Sequence, residues 1–166
     1  MKIQTILIRW RGIIQSADFF NANLTNVDCS NANLSKTNLV KAGLKQACLR
    51  NVNLIETQLI DANITAADLR GAVIRYAELE LVTLNNADLT DCDLSHSSLF
   101  GANLEGAILN GAKLFNTDLR QANLEHTKLQ NVNFTHCRVA GAIFTHARGL
   151  TIAQKRWLRK NGALNI

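Results

Sequence analysis

The side chains that could carry chemistry are four histidines, four cysteines and scattered carboxylates. His126 and His146 lie twenty residues apart, and two imidazoles could share a metal ion, but no third or fourth ligand accompanies them. The chain has no serine–histidine–aspartate or cysteine–histidine arrangement and no glycine-rich phosphate loop. Asp91 and Asp93 belong to a pattern that recurs throughout the chain. We therefore expect no metal, no cofactor and no enzymatic activity.

That pattern has a period of five residues. An apolar residue occupies every fifth position from Phe19 to Phe144, which makes 26 uninterrupted quintets. A small residue lies two positions before each apolar centre, as Ala17 does before Phe19. Neither an α-helix nor a flat strand repeats every five residues. Residues two apart in an extended segment point to the same side, so we expect the small residue and the centre to face inward together.

The two residues after each centre must face outward, and the chain must bend there. Residues that tolerate turn geometry are frequent at these positions. Examples are Asn26, Asn31, Asn51, Asn86, Gly101 and Asn131. The sequence therefore predicts short straight sides joined by corners at a constant pitch, which is how a solenoid is encoded.

The small residues indicate how many sides close one coil. In the column that begins at Ala17, hydroxyl groups recur at multiples of twenty residues, at Thr37, Thr57, Ser97 and Thr117. The column that begins at Ala22 has no hydroxyl group. Because neighbours in a column touch, this recurrence favours four sides per coil. At about 4.8 Å between stacked backbones, the quintets would build about 6.5 coils and a rod of roughly 30 Å.

These residues resemble the pentapeptide-repeat family, whose repeat is summarised as Ala, Asp or Asn, Leu and two variable residues. The triplet Ala-Asn-Leu occurs at 22–24, 32–34, 102–104 and 122–124, and Ala-Asp-Leu occurs at 67–69 and 87–89. The resemblance covers about residues 17–147. It implies an all-β solenoid, a right-handed four-sided parallel β-helix. It implies little about function, because functions in the family are varied.

Short helices are expected at both ends of the 17–147 body, as caps within one structural domain. In segment 1–16, apolar residues recur at helical spacing and Gly12 is placed to end the helix. These residues are Ile3, Ile6, Leu7, Trp10 and Ile13. In segment 148–166, Thr151 and Gln154 predict a capping box that opens a helix through about Arg159. Trp157 and Leu158 would then lie over the last coil.

Composition favours a cytoplasmic protein. The apolar start of the chain is interrupted at Arg9 and Arg11, and no small-residue cleavage site follows. No stretch approaches the roughly 20 apolar residues that span a bilayer. Cys29 and Cys48 would point to opposite sides of the coil wall, which disfavours a disulfide. All 13 acidic residues lie between Asp18 and Glu125, so the basicity of the chain does not form a stripe along the rod.

One column of large apolar residues is the leading candidate for a contact surface. Its residues come directly after the apolar centres on one face of the coil, with Glu80 as an interruption, and Leu81 joins them at a corner. Its members are Phe20, Val40, Ile60, Leu81 and Phe100. An exposed apolar row signals a partner surface. Two alternatives stay open: the position merely tolerates bulk, or the N-terminal segment folds across its lower part. A weaker patch on the adjacent face consists of Ile55, Val73, Tyr76 and Phe115.

The leading interpretation is a non-enzymatic interaction or structural module whose partner is a protein, not a nucleic acid or a membrane. Contact would use the apolar column or the end cap at Trp157 and Leu158, and a homodimer through either surface is a further alternative. The second hypothesis rests on the family resemblance, because some members mimic duplex DNA with an acidic rod and act on DNA gyrase. That mechanism needs a dense, regular negative surface. The 17–147 body has only three excess negative charges.

Overall fold

The computed structural model describes residues 14–166. The N-terminal helix that the sequence predicts lies outside the described residues. From Asp18↔Asn38 to Lys128↔Arg148, residues twenty apart pair in parallel β-bridges. Each bridge is one residue long, and residues 14–166 contain no strand that is longer than one residue. Because a bridge recurs every five residues, four of them fit into each twenty-residue level, and the levels stack into a parallel β-solenoid.

Two turn residues separate successive bridges. The second of them is left-handed, with φ of 54° at Asn21 and 68° at Gly71. An Asn or Asp at the bridge position commonly supports the turn through its side chain. Asn63 Oδ1, for example, accepts a hydrogen bond from the N–H of Thr65 at 3.1 Å. The repeated Asn and Asp residues therefore stabilise the corners, which accounts for their abundance.

The core lies inside the coil and consists of the apolar centres and the small residues. Leu39, Leu59 and Leu99 are fully buried one above another in the same column. The hydroxyl groups of the Ala17 column are also buried and each has a partner. Thr57 Oγ1 donates to the carbonyl of Leu34 at 3.0 Å, and Ser97 Oγ accepts from the N–H of Ala77 at 3.1 Å. The recurrence of hydroxyls every twenty residues thus reflects hydrogen bonds between adjacent levels.

Helix α1, Ile152–Lys160, follows the last bridge of the body. The predicted capping box is present, because Thr151 Oγ1 accepts from the N–H of Gln154 and the Gln154 side chain accepts from the N–H of Thr151. Beyond the helix the chain returns to the coil. Leu164 forms a parallel bridge with Ile143, and its N–H donates to the carbonyl of Ala142 at 2.8 Å.

Candidate interaction surface

The predicted apolar column lies along one edge of the rod. We call this edge, with Glu80 and Arg120 included, the Phe20 corner. Phe20, Leu81 and Phe100 are exposed by 54%, 55% and 38% of their surface, whereas Val40 and Ile60 are half-buried. The structure corrects one detail: the residue after each centre lies in the turn and not on the flat face. The reason is the side-chain support of the corner, seen where Asp18 Oδ1 accepts from the N–H of Phe20 at 3.0 Å.

Above Phe100, the Phe20 corner carries an arginine. The guanidinium of Arg120 lies over the Phe100 ring, with Cζ 5.6 Å from the ring centroid. Its Nε donates to Asp118 Oδ1 at 2.9 Å, and a nitrogen of Arg138 donates to Asp118 Oδ2 at 2.7 Å. Burial raises the pKa of the Asp118 carboxyl, but the hydrogen bonds from Arg120 and the charge of Arg138 outweigh burial and lower the pKa overall.

Below Phe100, the same corner carries Glu80. One carboxylate oxygen of Glu80, Oε2, is buried and has no hydrogen-bond partner. Glu80 forms no ion pair with any cation in residues 14–166. A buried acceptor without a donor costs free energy, so this oxygen requires an explanation. Sequence reasoning treats Glu80 only as an interruption of the apolar column, since burial of a single oxygen depends on the side-chain conformation.

A second corner carries a ladder of rings that sequence reasoning found only in part. Tyr76 stacks on His96 with ring centroids 4.9 Å apart, and His96 meets Phe115 edge-on at 5.5 Å. Phe115 in turn meets His136 at 5.2 Å. Beside Phe115 lies a shallow cleft of about 240 Å³, which Lys113 also lines. Tyr76 and Phe115 are exposed, as the weaker predicted patch required, while its other members, Ile55 and Val73, are half-buried.

One pair of histidines and three of the cysteines have structural explanations. His126 and His146 stack with ring centroids 4.9 Å apart, and residues 14–166 contain no group of three or more metal-ligating side chains that could hold an ion. Burial raises the pKa of Cys29 to about 11 and that of Cys92 and of Cys137 to about 12. These three thiols are therefore poor nucleophiles near neutral pH.

Four carboxylates, those of Asp68, Asp88, Asp93 and Asp118, are paired with arginine. Asp68 contacts both Arg50 and Arg70, and hydrogen bonds from Arg70 hold the pKa of its carboxyl well below the usual range. The other pairs with arginine are Arg70–Asp88, Arg75–Asp93, Arg120–Asp118 and Arg138–Asp118. The negative charge of the rod is thus locally neutralised on several sides.

The end of the rod offers a smaller contact surface than the sequence predicts. Leu158 is completely buried, so it belongs to the core and does not present an exposed contact. Trp157 is half-buried against the same core. The exposed large apolar residue of α1 is Ile152, at 79% of its surface, accompanied by exposed Arg156 and Arg159. No helix in the described part of the chain is long and apolar enough to cross a membrane.

These features define a class of protein: a parallel β-solenoid of five-residue units with an outward surface of turn residues. The family model for pentapeptide repeats matches the chain in 8 copies, at residues 17–54, 42–75, 53–91, 77–116 and 107–145. The chain therefore belongs to the pentapeptide-repeat family, and its coil is the right-handed β-helix of that family. A comparison with curated proteins found no match.

Solved structures of similar proteins were also found. A trypsin-treated variant of QnrB1, a plasmid-mediated fluoroquinolone resistance protein, is 17% identical over 90% of both chains, with a TM-score of 0.43. HetL, which is involved in the regulation of heterocyst differentiation in the cyanobacterium Nostoc sp. strain PCC 7120, is 26% identical over 84% of both chains, with a TM-score of 0.35. Rfr23 from the cyanobacterium Cyanothece 51142 is 24% identical, with a TM-score of 0.28, and the match covers 81% of this chain and 89% of that chain.

Proposed function

We propose that the chain is a non-enzymatic protein-interaction module and that the Phe20 corner is its contact surface. The observation that carries this proposal is the exposure of Phe20, Leu81 and Phe100 along one edge of the rod. Aligned large apolar groups in contact with water usually mark a surface that a partner covers. The backbone that carries these side chains is rigid, because each level is hydrogen-bonded to the next. A surface with fixed spacing loses little conformational entropy when a partner binds.

The same proposal includes the finer architecture. The quintets build about 6.5 coils, and the segments before and after the body act as caps that keep rods from stacking end to end. Support for the C-terminal cap comes from α1, whose Leu158 is buried against the core, and from the bridge between Leu164 and Ile143. We also propose a cytoplasmic location, which agrees with four cysteines that form no disulfide.

The contact surface is tested by replacing Phe20 and Phe100 together with serine. Proteins captured by the immobilised wild-type chain are compared with those captured by this double variant and by Phe115→Ser. Phe115 is a matched control, because it is also exposed but lies on the second corner. We expect specific partners to be lost with the double variant and retained with Phe115→Ser. Identical capture by all three proteins would remove the Phe20 corner as the contact surface.

A homodimer through the Phe20 corner or the end of the rod is the simplest alternative form of this interaction. Its readout is the solution mass, measured by light scattering over a range of concentrations. A dimer through the corner would dissociate in the Phe20 and Phe100 double variant. A dimer through the end of the rod would respond to Ile152→Ser, which changes the most exposed apolar side chain of α1.

DNA mimicry directed at gyrase is the competing function, and the surface does not favour it. Asp68, Asp88, Asp93 and Asp118 lie within ion-pair distance of arginines, which interrupts the negative surface that DNA mimicry needs. A gyrase supercoiling assay separates the two functions. Inhibition or protection from quinolones at micromolar protein would favour mimicry, whereas no effect would leave the interaction module as the better explanation.

A further inference from the structure

Glu80 interrupts the apolar side chains of the Phe20 corner one level below Phe100, and it forms no ion pair within residues 14–166. Its Oε2 is buried without a hydrogen bond, while Ile60 and Phe100 occupy the same turn position one level below and one level above. A carboxylate in such a place is costly unless a cation reaches it. The neighbouring Asp61 and Glu78 are also anionic, and neither forms an ion pair within residues 14–166.

The corner itself shows how a cation is accommodated one level higher. There, Arg120 lies over the Phe100 ring and its guanidinium is bound by the carboxylate of Asp118. The arrangement combines a planar cation, an aromatic face and an acidic acceptor, which is the combination that arginine satisfies better than lysine. On the other side of Phe100 in the column, an acidic acceptor is present and the cation is missing.

We propose that the Phe20 corner binds a segment of a partner protein in which an arginine is flanked by apolar side chains, and that Glu80 accepts the guanidinium. This inference rests on the proposed function of the corner. The apolar flanks of the segment would cover Phe20, Leu81 and Phe100, whose exposure leaves room on both sides of Glu80. The Glu80 carboxylate is only partly buried, and it would turn outward to meet the guanidinium, which gives Oε2 the donor that it lacks inside the corner. The arginine would also oppose the charges of Asp61 and Glu78.

The chemistry of the partner follows from charge complementarity along this stretch. Two cations of the chain lie on this corner two levels from Glu80, and neither is paired with it. Arg120 is bound by Asp118, and Lys41, at the turn position one level below Asp61, forms no ion pair with any acidic residue in residues 14–166. An acidic partner would meet three unpaired carboxylates, and a purely apolar partner would bury Glu80 still without a donor. A segment with one central arginine avoids both costs.

The test uses the full chain, immobilised, as bait for a displayed library of random twelve-residue peptides. We expect enrichment of peptides with an arginine between apolar residues. Binding of the best peptide, measured by fluorescence anisotropy, should weaken about tenfold or more with Glu80→Gln, which keeps the shape and removes the charge. Glu105→Gln is the matched control, because Glu105 occupies the same turn position on a neighbouring corner and is exposed. It should leave binding unchanged.

A charge exchange separates recognition from a merely structural role. Glu80→Arg should abolish binding of the arginine peptide and restore it when the peptide arginine is replaced by glutamate. Enriched peptides without arginine or lysine, or arginine peptides that bind Glu80→Gln as well as the wild type, would overturn this inference while the corner remains a contact surface. Enriched peptides that still bind the Phe20 and Phe100 double serine variant, or no enrichment at all, would overturn the proposed function as well. Enrichment of lysine in place of arginine would refute the preference for a planar cation.

Discussion

The hydroxyl of Thr57 donates a hydrogen bond to the carbonyl of Leu34, 23 residues earlier and one level below, at 3.0 Å. The same relationship links Thr117 to Leu94, also at 3.0 Å. These bonds run between levels inside the core, in addition to the backbone bonds of the coil wall. The small residue of the quintet therefore fills space in the core and, at positions such as Thr57 and Thr117, also holds adjacent levels together by a hydrogen bond.

Thr57→Val tests this contribution, because valine keeps the shape and removes the hydroxyl. Thr57 is fully buried, and Leu34 O retains a second donor in the hydroxyl of Thr37 at 2.7 Å. We therefore expect a moderate loss of about 1 kcal/mol in the free energy of unfolding, measured by urea denaturation. Thr65→Val is the control, since the Thr65 hydroxyl is bonded only to exposed Asn63. Equal losses for both variants would contradict a special role for the core hydroxyls.

Glu80→Leu should stabilise the isolated chain. The substitution removes a buried oxygen that has no donor and continues the apolar column between Ile60 and Phe100. We expect a gain of about 1–2 kcal/mol, visible as a higher melting temperature, together with loss of arginine-peptide binding. Glu105→Leu, at the equivalent exposed position, should change stability little. A lower melting temperature for Glu80→Leu would mean that the carboxylate has a structural partner in solution.

The ion pair of Asp118 with Arg120 and Arg138 makes stability depend on pH. The pKa of Asp118 is lower in the folded chain than in the unfolded chain, so its contribution is present above about pH 4 and is lost as the pH falls through the folded-state pKa. Asp118→Asn should cost about 2 kcal/mol at pH 7. Melting curves of both proteins between pH 7 and pH 2 should converge at the acidic end. A constant difference over this range would exclude the charge of Asp118 as the cause.

The cysteines should differ sharply in reactivity. Cys92 and Cys137 are buried, each Sγ donates to a carbonyl, and the pKa of each thiol is about 12, so almost no thiolate exists at pH 8. Cys48 is half-exposed on the outer surface. Treatment with iodoacetamide followed by mass spectrometry should label Cys48 in the folded chain, and the buried cysteines only after unfolding. Labelling of Cys92 at the rate of Cys48 would show that the coil opens locally.

Sequence periodicity predicts the backbone of the coil and its core residues well, because every quintet has the same inward-facing pair of residues followed by a turn. The twenty-residue recurrence of Thr37 and Thr57 indicates which residues stack, and the structure pairs residues at that spacing. Individual side chains on the outside are less predictable. Phe115 is the first residue of its turn, whereas Tyr76 and His96 are the second residues of theirs. A search among residues exactly twenty apart therefore finds only part of the ring ladder. The burial of Glu80 Oε2 depends on the conformation of the Glu80 side chain, and residue spacing does not predict that conformation.

The return of the chain after α1 also determines how such a rod can grow. Leu164 bonds to the backbone of Ala142 and Phe144, so the tail occupies the edge that a further level would need on that side. Coils appended beyond this point would have no ladder to continue. Insertion of a whole twenty-residue unit inside the body, by contrast, would shift the following levels by one level. Every residue would still stack on a residue at the same position of the repeat. Length in this architecture is therefore adjustable from within and fixed at the closed end.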